Sequence, residues 1–388
     1  MSKSSSMFSQ LLSLFPRSRF DARVREFQAE KGAKGFTCWQ QFVSMLFCQL
    51  GKAQSLREIS GGLKTCEGKL SHLGIKAPKP STLSYANAHR PWQFYQALFY
   101  DLLHTCHGVA AEKKRKFRFK NKLFSIDSST IDLCLSAYDW AKFRRKKGAI
   151  KLHLRLDHDG YLPDFAVVTE GKVSDIRALS AFDFEPGSIY VFDRGYNDYR
   201  LFGDLCEKGV FFVTRMKDNA RYDVLDSRRV PEGWGVVSDE TISLSGFYAE
   251  ENCPHTLRRV HYFDVEQDRS FDFLTNNMTL APETIARIYK ERWQVELFFK
   301  AIKQNLKIKT FVGTSANAVK IQIWTALVAF LLLRYLQLRS TFSWALSNLA
   351  ALLRMNLFTY RDIWSWMNSP FETPPENLET EQMALGLP

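Results

Sequence analysis

Residues Tyr289–Gln304 read YKERWQVELFFKAIKQ, and their hydrophobic spacing predicts an amphipathic helix. At about 100° per residue, with Tyr289 at zero, Arg292 falls near 300°, Glu296 near 340° and Lys303 near 320°. Four polar side chains thus share an arc of about 60°. Ile288, Val295, Phe298, Phe299, Ile302 and Leu306 fill the adjoining arc, between about 180° and 280°, and give the helix a wall to lean on. Arg292 and Lys303 are 11 positions apart, which is about 16 Å along a helix axis. They cannot both pair with Glu296, so Lys303 requires another partner. Spacing alone leaves two readings of Glu296 open: a functional acid, or half of an i, i+4 pair with Lys300. Trp293, on the flank beyond the arc, reads first as core packing and second as a platform for an unpaired base.

Two further carboxylates stand out upstream. Asp127 sits inside LFSIDSSTIDL, and Asp193 ends SIYVFD. Each follows an apolar run with strand character, where an ionised carboxylate is costly unless it is paired or bound to metal. Each alone is an ordinary cap or turn residue; the conjunction with Glu296 is what singles them out. Two Asp and one Glu are hard oxygen donors suited to Mg²⁺ or Mn²⁺. Two such ions about 3.5–4 Å apart activate a water or a 3′-hydroxyl and stabilise the leaving oxygen of a phosphodiester. No cysteine pair or histidine pair with zinc spacing competes for the role.

Around these positions the chain changes texture. Residues 1–110 read as helical. CWQQFVSMLFCQLGKAQSLREISGGL is expected to be helical up to a stop at Gly61-Gly62, with Ser81 or Thr82 capping a later helix and Pro91 restarting it. EKKRKFRFK, Glu112 to Lys120, reads as a linker, either a solvated hinge or a contact with nucleic-acid backbone. LFSIDSSTIDL, AIKLHLRLD and PDFAVVTEG are predicted strands, the last two joined by a turn at Asp159-Gly160. A short helix capped by Ser174 follows, then SIYVFDRGY as a strand, a helix closed by Gly209, and the strand VFFVTRMK. Three strands, a helix, a strand, a helix and a strand make a mixed α/β unit. Residues 217–272 are β-like and polar and read as an insertion, after which FDFLTNN returns to a buried strand. The C-terminal third is helical, and the Pro/Glu-rich end reads as a loose tail.

The 388 residues are 45% hydrophobic and carry a formal net charge of +12. Residues 1–120 hold 20 Lys+Arg and 7 Asp+Glu, a balance of +13, and the remainder holds 33 and 34, a balance of −1. Basicity gathered in one segment is the footprint of a nucleic-acid or acidic-surface binder. The longest apolar run, Ile323–Leu333, is short for a membrane span of about 20 residues, and it reads as a buried core helix. Seven cysteines without a CxxC pair suit reduced thiols and a cytoplasmic location, with no membrane partner.

Tyr289, Arg292, Glu296 and Lys303 match at every spacing the Tyr-Arg-Glu-Lys signature of bacterial insertion-sequence transposases of the IS-four group. D193-R-G-Y resembles the second catalytic block of that family, D127-S-S-T the first, and the LTNN at Leu274–Asn277 is also similar. The resemblance covers about residues 120–335. It implies a ribonuclease-H-like catalytic core that brings Asp127, Asp193 and Glu296 together on divalent metal, with residues 217–272 as a β-rich insertion. The position of Tyr289, Arg292 and Lys303 beside the acid agrees, as donors to a phosphate near the cut; Trp293 and Arg194 are further expected DNA contacts, and the expected partners are transposon ends and target DNA, with a homodimer in the DNA complex. The expected division is a basic helical DNA-binding domain at 1–112, a catalytic domain at 113–345, and a helical C-terminal segment with its tail at 346–388. A ribonuclease-H-like nuclease or resolvase, and a catalytically silent DNA-binding relative, are the rival readings.

Overall fold

The computed structural model describes residues 5–372 apart from 135, 139, 145–146 and 231–234. Most of the expected tail, 373–388, lies outside the described residues. Before the first strand come α1 (Met7–Leu12), α2 (Arg17–Glu26), α3 (Cys38–Leu50), α4 (Leu56–Thr65), α5 (Glu67–Leu70), α6 (Pro80–His89) and α7 (Trp92–Ala111). Thr37 and Gln40 form a reciprocal capping box that starts α3. The expected stop at Gly61-Gly62 is corrected: both glycines lie inside α4, and the break falls at Gly51. A β-carbon on Gly62 would meet the Phe47 ring at 3.1 Å, so glycine serves the close approach of α3 and α4. The cap expected at Ser81 or Thr82 is also corrected. Pro80 opens α6 after Lys79 without a side-chain cap, the position where a missing N–H costs nothing. Pro91 does restart the chain, directly before α7.

The strands are β1 (Leu123–Leu133), β2 (Lys142–Arg144), β3 (Lys147–Asp157), β4 (Leu162–Glu170), β5 (Ile189–Val191), β6 (Phe211–Arg215), β7 (Tyr222–Ser227), β8 (Val236–Leu244), β9 (Leu257–Asp264) and β10 (Arg269–Thr275). All belong to one mixed sheet in the order β2-β3-β1-β5-β6-β10-β9-β8-β7, with β4 also on β3. β1, β5 and β6 are parallel, and the remaining pairs are antiparallel. The segment read as an insertion therefore extends the main sheet from β6 outward. Three short helices interrupt the strands, α8 (Asp175–Ala178), α9 (Tyr199–Glu207) and α10 (Phe247–Asn252); Phe202 and Leu205 of α9 and Ala249 of α10 share one core. Ser174 caps α8 and a left-handed Gly209 follows α9, as their residue types require.

After the sheet come α11 (Pro282–Glu291), α12 (Trp293–Asn305), α13 (Ala316–Arg339), α14 (Leu346–Asn356) and α15 (Ile363–Asn368). The single helix expected across Tyr289–Gln304 is two, divided at Arg292. There the backbone tightens to three-residue bonds, from Arg292 N to Tyr289 O at 3.0 Å and from Val295 N to Arg292 O at 3.1 Å. A uniform 100° wheel therefore does not carry across the junction.

The side chains of β1 alternate between two cores. Phe124 and Ile126 pack with Tyr190, Phe192, Phe202 and Leu205, on the α9 side. On the other face, Leu123 packs with Ile189, Val191 and the α11 residues Ile285 and Ile288. Ile131 and Leu133, further along that face, enter the largest core with Val295, Phe298 and Ile302 of α12. The same core takes in the N-terminal helices and α13–α15; Met7 N and Phe8 N donate to the carbonyls of Thr359 and Leu357. α13 is long and apolar enough to cross a membrane, but 83% of its most apolar window is buried inside the protein, as a core helix requires. The segment read as a linker is tied down: Arg115 reaches Asp159 at 2.7 Å, Lys116 reaches the buried Glu291 at 2.5 Å, and Phe117 stacks on Phe119. All seven cysteines are free.

Candidate active site

Ser125 of β1 is in parallel register with Val191 of β5. Asp127 and Asp193 each stand two residues beyond that pair. With a period of two, they project on the same face as Leu123, Ile189 and Val191, the face covered by α11 and α12. Glu296 lies in the first turn of α12, so the helix that closes this face carries the third acid. Asp193 ends its strand by capping a single turn, where its Oδ1 accepts from Gly195 N at 2.8 Å. A β-carbon on Gly195 would lie 2.9 Å from that oxygen, which explains the glycine of DRGY.

Arg292 joins the acids. One guanidinium nitrogen is 2.5 Å from Glu296 Oε1 and another is 3.8 Å from Asp127 Oδ2. The local partner of Glu296 is therefore Arg292; the i, i+4 pair with Lys300 is absent among the described residues. Burial pushes the Asp127 carboxyl up to about 6; the Ser128 N–H and Arg292 oppose the shift, and the charges of Asp193 and Glu296 add to it. Asp193 and Glu296 are thus both near enough for their charges to act on Asp127. Three carboxylates against one guanidinium leave a negative pocket of oxygen donors, half-open to solvent. That donor set fits a hard divalent cation.

The other expected contacts divide. Tyr289 is half-buried against Phe273, with the Arg292 guanidinium 5.8 Å from its ring. Trp293 is 55% exposed, which corrects its first reading as core packing: the first residue of α12 faces outward. It borders a cleft of about 880 Å³ lined by Arg215, Arg269, Phe271, Tyr289 and Arg292, among others. Arg194 is exposed and pairs with Asp218 at 3.3 Å. Lys303 lies two turns from Glu296 and donates to the Thr130 carbonyl of β1 at 3.2 Å, so its partner is backbone on the strand that carries Asp127. The cleft residues Arg215, Arg269 and Phe271 escaped sequence reading; they come from β6 and β10 and share no local spacing with the signature helix.

A second cluster of ligating atoms lies elsewhere. His107, Asp157 and Asp164 each place one such atom within 4.8 Å of the others, where α7 meets the β3–β4 hairpin. Asp164 is already held by Arg155 Nε at 2.6 Å and faces His107 Nε2 at 3.4 Å, and Asp157 accepts from Asp159 N. This is a polar tie between the helical region and the sheet.

Asp127 on β1 and Asp193 just past β5 thus lie on the face of the mixed sheet over which α12 carries Glu296. Residues 118–332 match the family model for the transposase DDE domain, and residues 3–76 match a domain of unknown function. The chain is 32% identical over 306 residues to a protein of Sinorhizobium fredii described as transposase y4zB, covering 77% of this chain and 82% of that one. It is 30% identical over 259 residues to a transposase described for insertion sequence IS5377 of Geobacillus stearothermophilus, covering 66% and 67%. Over 149 residues it is 30% identical to a transposase described for IS4SA of Synechocystis, covering 38% and 41%. A piggyBac transposase in a synaptic complex with hairpin DNA is a distant structural likeness, at 11% identity and a TM-score of 0.42 over 97% of this chain and 84% of that one. The chain belongs to the DDE transposases of insertion-sequence elements. A DDE domain implies a divalent metal.

Proposed function

We propose that Asp127, Asp193 and Glu296 are the catalytic acids of a transposase that cuts the ends of an insertion sequence and joins them to target DNA. The sheet of three antiparallel strands followed by two parallel ones supports a ribonuclease-H-like core spanning 113–345, with 217–272 as its insertion. The observation that carries the reading is that Asp127 and Asp193 each follow the Ser125–Val191 pair by two residues, on the face where α12 presents Glu296.

The three carboxylates would hold Mg²⁺ or Mn²⁺, two ions in this reading, which supply an activated water or 3′-hydroxyl and a counter-charge for the leaving oxygen. The chain's own residues do the rest. Asp127 is anchored by the Ser128 N–H at 2.8 Å and Asp193 by the Gly195 N–H, so both acids are aimed before substrate arrives. Arg292 balances Glu296 and Asp127 and stands ready to take a phosphate oxygen; Tyr289 adds a neutral donor beside it. Lys303 and Arg194 contact the backbone of the DNA, and exposed Trp293 offers a face to a base. The helical region 1–112, basic and outside the sheet, reads the transposon ends, and α14 and α15 share its core. Two copies of the chain would hold the paired ends.

The test is to mix the full chain with DNA from the ends of its own element and Mg²⁺, then map the cut positions and the strand-transfer products. Metal-dependent cuts at the element boundary support the reading. Random nicking, or cleavage without joining, favours a nuclease or resolvase.

A further inference from the structure

Five cations gather where α12 ends. Lys303 occupies its last turn, Lys307 and Lys309 follow it, Lys52 reaches it from the turn between α3 and α4, and Arg354 comes from α14. Lys52 Nζ donates to the Gln304 carbonyl at 2.5 Å, and Arg354 Nε donates to the Leu50 carbonyl at 3.2 Å. Lys307 is buried, and its ammonium has the Gln54 side-chain oxygen as its partner. Among the described residues none of the five is within 4.0 Å of a carboxylate. Two acids face the group without pairing: Glu58, which accepts from Gln54 N at 2.8 Å, and Asp132, whose charge acts on Lys303. Capping two helix C-termini accounts for two cations; five exceed that need and repel one another. Burial holds the Lys52 ammonium below its ordinary range, with Arg354 and Lys307 adding to the shift.

The backbone at Lys52 is a second, independent observation. Ala53 N donates to the Cys48 carbonyl at 3.2 Å and Lys52 N to the Gln49 carbonyl at 3.3 Å. These are the two hydrogen bonds of a helix end whose next residue takes the left-handed conformation that glycine fills by default. Here Lys52 fills it at φ 56°. The chain accepts strain in order to place a lysine side chain at this point.

Resting on the transposase reading above, we infer that Lys52, Lys303, Lys309 and Arg354, with the buried charge of Lys307 behind them, form a phosphate-binding surface along which the DNA backbone runs on from the carboxylates. Lys303 joins the two sites, because it shares α12 with Glu296 and is bonded to the strand that carries Asp127. The ligand class is a phosphodiester backbone, recognised by charge and without sequence preference.

The experiment measures equilibrium binding of full-length protein to end DNA across a range of salt, for wild type, Lys309→Gln and Lys52→Gly plus Lys309→Gln, with melting temperatures on the same preparations. Each phosphate left without its cation lowers the log–log salt slope by about 0.9, so the double variant should fall by about 2 units. Lys52→Gly also relieves the left-handed strain, so its melting temperature should hold. A slope unchanged in both variants, while wild type binds and cuts its end DNA, overturns this inference alone. A lowered melting temperature with the slope unchanged assigns Lys52 to helix capping and overturns it as well. A wild-type chain that neither binds nor cuts end DNA overturns both this inference and the function it rests on.

Discussion

Asp127 on β1 and Asp193 just past the end of β5 each stand two residues beyond the Ser125–Val191 pair of two neighbouring parallel strands. Strands lie about 4.8 Å apart, so two carboxylates so placed on one face repel unless a cation lies between them. The third acid arrives on α12 with Arg292 beside it. This relation makes the pocket costly to fold and suited to metal.

The cost is measurable through pH. The Asp127 carboxyl is raised to about 6 from an ordinary 3.8. The folded chain thus binds a proton more tightly than the unfolded chain, and stability is lost as pH rises from about 4 through about 6. A two-unit shift corresponds to at most about 3 kcal/mol. In chelator at pH 7, Asp127→Asn should therefore melt higher than wild type, and the difference should vanish near pH 4. Thermal melts across that range check it; a variant that melts lower at pH 7 contradicts the electrostatic account.

Gly195→Ala puts a β-carbon 2.9 Å from Asp193 Oδ1. The carboxylate or its turn must shift. Cleavage should fall by about 10–100-fold, as when other supports of metal-binding side chains are removed, with end-DNA affinity retained. Single-turnover cleavage and binding on one preparation test this, and undiminished cleavage would show that the aim of Asp193 is unimportant.

Much of this arrangement is legible in the sequence because it is local. The alternating LFSIDSSTIDL, the apolar run ending at Asp193 and the caps at Ser174 and Gly209 declare their elements through side-chain period and turn chemistry. The division at Arg292 is not legible, since neither glycine nor proline marks it. The glycines of α4 mislead because their reason is the Phe47 ring of another helix. The pairing of β7–β10 onto the main sheet, and the gathering of Lys52 with Arg354, depend on contacts between segments far apart in the chain.

Trp293 is 55% exposed, so Trp293→Ala should change stability by no more than about 0.5 kcal/mol. If its ring stacks on a base, affinity for ends with an unpaired base near the cut should weaken by about 1–3 kcal/mol. Comparing fully paired and gapped end DNA separates this from a general loss of binding. An equal loss on both substrates would refute the stacking role.

The N-terminal helices share their core with α12–α15. Removing residues 1–114 would expose Val295, Phe298 and the whole apolar side of α13. The truncated chain should show no cooperative melting transition, so DNA recognition is better mapped by point substitutions in the full chain. A sharp transition near that of the full chain would show that the two regions fold independently.

The central claim is that Glu296 completes the catalytic site. The direct measurement is cleavage of end DNA in Mg²⁺ by wild type and Glu296→Gln, with binding affinity measured alongside. The account predicts equal binding within a few fold, cleavage by wild type and none by the variant. A Glu296→Gln chain that cuts at the wild-type rate would contradict it.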